Sequence, residues 1–127
     1  MARTPLKTAR GLGSAKDGTA HWWAQRLTAL ALVPLTIWFV ASVAALAGAD
    51  HGAFIQWLGS PLVATLMILF VVATFHHAQL GIQVVVEDYV HSEPVKIALI
   101  VGVKGLSAVL AVAATVAVLR IAVGAWS

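Results

Sequence analysis

The chain has no cysteine among its 127 residues, which excludes disulfides, thiolate nucleophiles, iron–sulfur ligation and cysteine-based zinc sites. Charge is scarce too. Only 10% of residues are Asp, Glu, Lys or Arg, and 61% are apolar, whereas a soluble domain carries about 25% and about 45–50%. Mean hydropathy is +0.93. No single small soluble core can hide that much apolar surface, and a disordered chain is polar, so both readings are excluded. The shortage is also uneven. Arg3, Lys7, Arg10, Lys16, Asp17 and Arg26 crowd the first 26 residues, while residues 27–86 hold Asp50 alone. A stretch of that length and composition belongs in lipid.

The net charge of +3 and a pI near 9.8 do not describe a nucleic-acid binder. The basic excess sits beside an apolar run, where it acts as a topological signal. Residues 1–20 read as a weakly structured, retained N-terminal extension, because the apolar run that follows is too long for a signal-peptide core. Residues 21–127 read as one membrane domain. Apolar runs from about Leu27 to Gly48, Leu62 to Val86 and Val95 to Val123 each exceed the ~20 residues a span needs. The expected fold is an all-α integral membrane protein of three antiparallel transmembrane helices, over about 22–48, 61–87 and 94–125. Gly48–Ser60 and Glu87–Pro94 are the connections, and Pro61 marks a helix start. Pro34 is expected to kink the first helix.

Lysine and arginine enrich cytoplasmic flanks. The basic cluster precedes the first helix and the 48–60 connection has none, so the N-terminus is expected in the cytoplasm and the C-terminus outside. Trp22, Trp23 and Tyr89 then fall at one interface and Trp57 and Trp126 at the other, as aromatic belts require. Two stripes of small residues, Ala41-Ala45-Ala49 and Ser107-Ala111-Thr115, are spaced for close helix contact.

The chemistry gathers on the second span and its exit. His77, Gly81, Val84 and Asp88 fall at about 0°, 40°, −20° and 20° around a helix and share one face. Eleven steps separate His77 from Asp88, about 16 Å. With Asp88 at the cytoplasmic boundary, His77 lies near mid-membrane. A buried neutral imidazole there serves either as a haem-iron ligand or as a hydrogen-bond donor to a neighbouring helix. Gly81, one turn away, leaves room for a porphyrin. His76 points about 100° aside and cannot share that iron. His21, His51 and His91 lie at other depths, so a second axial ligand would come from another chain. Tyr89 reads as an interfacial belt residue or as a hydrogen-bond donor to a quinone carbonyl. Asp88 reads as a solvated carboxylate or as a support for such a site. Lys104 and Arg120 are expected to snorkel to the cytoplasmic and outer interfaces.

The pattern His77-Ala78…Gly81…Gln83…Asp88-Tyr89-Val90 resembles the small hydrophobic membrane anchor of succinate dehydrogenase (complex II). His21-Trp22-Trp23-Ala24-Gln25-Arg26-Leu27-Thr28-Ala29 is similar to the start of that anchor's first helix, and the likeness runs from about residue 20 to the end. The resemblance implies an electron-transfer subunit that cannot oxidise succinate alone. His77 would be the axial ligand of a haem b shared with a cytochrome b anchor subunit, and through it the metal-binding residue for the haem iron. Tyr89 would hydrogen-bond ubiquinone, Asp88 would support the quinone site, and Gly81 would pack the haem. Arg26 would meet a haem propionate or the quinone site. FAD and iron–sulfur clusters would reside in partner flavoprotein and iron–sulfur subunits, and the setting would be a bacterial inner membrane. Two other readings remain: a fumarate reductase anchor using menaquinone, and a non-redox three-helix scaffold or transporter subunit.

Overall fold

A computed structural model describes residues 12–126, with side chains from residue 18. It contains four helices: α1 (Leu12–Leu46), α2 (His51–Leu58), α3 (Pro61–Tyr89) and α4 (Glu93–Trp126). Three are long and apolar enough to cross a membrane, over Gly18–Leu46, Pro61–Tyr89 and Glu93–Trp126. The all-α, three-span expectation therefore holds. α1 begins ten residues earlier than the sequence suggested, so residues 12–20 continue the first helix rather than standing apart from it. Residues 1–11, the rest of the expected extension, lie outside the described residues. α1 runs without interruption through Pro34.

The first connection is not merely a loop. Gly48 takes φ +81°, a left-handed conformation that side chains disfavour, and turns the chain out of α1. Asp50 then caps α2, its Oδ1 accepting the Ala53 amide proton at 2.8 Å. Phe54, Ile55, Trp57 and Leu58 make this short helix apolar. Trp57 lies 6.0 Å from Trp38 of α1 in a stacked pair. Pro61 opens α3 behind Ser60, where a missing amide proton is harmless.

α3 packs along both α1 and α4, while α1 and α4 form no comparable interface with each other. Phe39 stacks on Phe70 at 4.8 Å in the first seam. The tightest packing lies at one end, where Leu58, Ala64, Val118 and Ala122 bury one another. Trp126 donates its indole N–H to the Gly59 carbonyl at that same end, and a Cβ on Gly59 would come within 2.6 Å of the Ala125 Cβ. Elsewhere large aliphatic side chains such as Leu30, Ile37, Leu62, Val101 and Val112 are exposed. In lipid this is no fault, since acyl chains are as apolar as leucine. Thr65 and Thr74 return their hydroxyl protons to carbonyls four residues back, at 2.8 and 2.7 Å, which keeps those groups satisfied without water. Of the two small-residue stripes, Ser107, Ala111 and Thr115 are partly covered, whereas Ala41, Ala45 and Ala49 are exposed.

Candidate functional site

His21, Gln25 and Thr28 of α1 are spaced four and three residues apart and therefore form a polar stripe on one face. That stripe meets the His77 face of α3. Thr28 Oγ1 lies 3.0 Å from His77 Nδ1. The same hydroxyl is 2.8 Å from the Ala24 carbonyl and 3.0 Å from the Gln25 carbonyl. A hydroxyl has one proton, and carbonyls only accept. The threonine proton therefore goes to its own backbone, and Nδ1–H of the imidazole donates to Oγ1. This assigns the tautomer. Nε2 is left with its lone pair, the form in which an imidazole binds a metal.

One turn toward the end of α3, Gly81 faces Gln25. A Cβ there would sit 3.9 Å from the Gln25 amide nitrogen, with nothing else within 4 Å. Gly81 is thus bounded on the α1 side by an amide and leaves free the room a side chain would take one turn from His77. Two polar atoms of the stripe, His21 Nε2 and Gln25 Oε1, are buried without a hydrogen-bond partner. Such atoms are rare in native proteins and mark the place of a ligand, a water or a missing chain. The α1–α3 seam therefore holds the His77 imidazole together with an unpartnered ring nitrogen of His21 and an unpartnered amide oxygen of Gln25.

The sequence-derived site divides accordingly. His77 and Gly81 are brought together, with Thr28 and Gln25 as neighbours. Asp88 and Tyr89 end α3 in the open, Tyr89 being 77% exposed, and neither side chain has a partner among the described residues. Arg26 is not turned into the seam. Its guanidinium carbon sits 5.2 Å from the centroid of the Trp22 ring, on the exposed side of α1. Among the described residues no group of three or more His, Asp or Glu side chains could hold a metal ion. A porphyrin needs none, because it supplies four nitrogens and asks the protein only for axial ligands. The roles of Thr28 and Gln25 were missed in the sequence, although a polar face at helical spacing in an apolar span was there to be read.

Comparison with known proteins places the chain in a family. The family described as succinate dehydrogenase/fumarate reductase transmembrane subunit matches residues 1–119. The succinate dehydrogenase hydrophobic membrane anchor subunit of Paracoccus denitrificans is 38% identical over 122 residues, covering 96% of this chain and 94% of its own. The subunit of the same description from Rickettsia bellii is 36% identical over 116 residues, covering 91% and 93%. The succinate dehydrogenase membrane anchor subunit of Reclinomonas americana is 31% identical over 85 residues, or 65% and 71%. No solved structure matches the chain. Length, three spans and nearly full coverage agree, and the chain belongs to the family of hydrophobic membrane anchor subunits of succinate dehydrogenase.

Proposed function

We propose that this anchor subunit binds one face of a haem b through His77 Nε2 and helps form a ubiquinone-reduction site with Tyr89 and Asp88. The observation that carries the reading is the Thr28–His77 hydrogen bond, which leaves Nε2 free and aims the ring from the middle of a span. Bound there, the haem supplies a one-electron carrier inside the membrane. Gly81 leaves it room, the orphaned His21 Nε2 and Gln25 Oε1 offer polar contacts toward the end of the span, and Arg26 is close enough in sequence to assist a propionate or the quinone. The second axial ligand comes from a cytochrome b anchor subunit, since His21, His51 and His91 lie elsewhere.

Reduction of ubiquinone to its quinol takes up two electrons and two protons. Tyr89, exposed at the end of α3, donates its O–H to a quinone carbonyl, and Asp88 beside it can hold and pass a proton. The electrons originate in succinate oxidation at FAD and travel through iron–sulfur clusters, all in partner subunits; this chain, with no cysteine, offers no thiolate to such a cluster. Relatives that carry the succinate dehydrogenase description favour this direction over a menaquinone-linked fumarate reductase anchor. The N-terminus faces the cytoplasm of a bacterial cell and the C-terminus faces the periplasm.

The test uses the purified whole complex. His77→Ala is expected to abolish or strongly perturb the reduced-minus-oxidised b-haem spectrum; an unchanged spectrum refutes the ligand assignment. Tyr89→Phe is expected to lose quinone reductase activity while succinate oxidation with an artificial acceptor persists. Equal loss of both activities would remove Tyr89 from the quinone site.

A further inference from the structure

The other flank of α3 carries polar groups that the reading above does not use. His76 and Gln79 of α3 and Lys104 and Ser107 of α4 line one cavity of about 190 Å³, with Phe75 and Ala108 among its walls. It lies near the middle of α3, which spans residues 61–89. Lys104 is eleven residues into α4 from Glu93, about 16 Å along the axis.

Among the described residues no acid meets Lys104 or His76. The chain's acids are Asp17, Asp50, Glu87, Asp88 and Glu93, and the segments 51–86 and 94–127 contain none. Among the described residues Glu93 pairs with Lys96 at 3.5 Å and Asp50 caps α2. Glu87 accepts from Gln83 at 3.0 Å, and Gln83 accepts from Gln79 at 2.9 Å. Lys104 and His76 have no side-chain hydrogen bond or ion pair among the described residues. A second copy of the chain would bring no acid to this depth either.

We propose that the cavity receives an aspartate or glutamate side chain from a transmembrane helix of a different polypeptide, which pairs with Lys104 and accepts from His76. Lys104 lines this cavity and, among the described residues, has no partner at the cytoplasmic interface to which snorkelling would take it. A charged amine inside a span is costly unless an anion meets it. A neutral lipophilic carbonyl compound leaves that charge uncompensated, and lipid phosphates stay at the surface. The cavity has room for one side chain, and Ser107, Ala108 and Ala111 let a further helix approach closely. The inference is independent of the haem and quinone assignments, because it uses neither His77 nor Tyr89.

A photocrosslinking amino acid at Ala108, in the intact complex in native membranes, tests it. The expected product is a crosslink to a transmembrane peptide of another subunit, with Asp or Glu within one turn of the attachment point. Lys104→Glu should reduce that crosslink at least tenfold, Lys104→Arg should retain it, and Lys104→Glu with the partner acid changed to Lys should restore it. The crosslink is read at equal membrane levels of each variant, so misfolding is scored separately. A crosslink to a segment without an acid, to lipid or quinone alone, or to nothing overturns the proposal, as does a crosslink indifferent to Lys104→Glu.

Discussion

Thr28 does more for His77 than fill space. A histidine that ligates a metal is held in tautomer and orientation by what its other nitrogen touches, and losing such a partner typically costs 10–100-fold in metal affinity. Thr28→Val keeps the shape and removes the acceptor at 3.0 Å. It is expected to lower the haem content of the purified complex, with affinity falling by about tenfold or more, while Thr28→Ser retains it. A Thr28→Val complex with full haem and an unshifted spectrum would show that ring orientation is set elsewhere. Gln25→Leu offers a second reading of the seam. It removes a buried orphan acceptor, which stabilises an empty seam but weakens one that holds a polar ligand.

Among the elements, α2 and the turn after it set the level of the other helices. Leu58 buries itself against Ala64 of α3 and Val118 and Ala122 of α4, and Gly59 lets α4 pass where no side chain fits. A Cβ 2.6 Å from that of Ala125 forces the backbones apart, and overpacking of this kind costs about 1–3 kcal/mol. Gly59→Ala should therefore lower the thermal midpoint of the detergent-solubilised complex without changing its haem spectrum, because the strain falls far from His77. A loss of haem at unchanged stability would reverse that expectation. α3 is joined to α1 through residues 47–60, which include α2, and to α4 through residues 90–92, and it packs against both.

At the scale of the molecule, α3 packs between α1 and α4 and the chain has little interior of its own. His21, Gln25, Thr28 and His77 gather in one seam and His76, Gln79, Lys104 and Ser107 beside the other, while most large aliphatic side chains face outward. Such a surface suits lipid and other subunits, as expected of one member of a complex. Orientation follows from charge. Five Lys or Arg residues precede the apolar part of α1 and none lies between residues 48 and 60, so alkaline phosphatase fused after Ser127 should be active and a fluorescent protein there should be dark. The opposite pair of signals would invert the topology.

Much of this was legible in the residues themselves. Membrane residence, the number of spans and the conspicuous His77 follow from hydrophobic runs and scarce charge, because the bilayer punishes every unpaired polar group in the same way wherever it stands. The resemblance to the anchor family was carried by local spacing around His77 and Tyr89, which needs no tertiary contact to be seen. What could not be read was partnership. A short capped helix in the 48–60 connection, Thr28 against His77, Gln25 against Gly81, Arg26 turned onto Trp22, and Lys104 beside His76 all depend on which face of each helix meets its neighbour. In these nearly uniform apolar helices periodicity says little about facing, since lipid and protein accept the same side chains. Sequence determined where the chain lives and which residues are out of place there; packing alone decided what each of them touches.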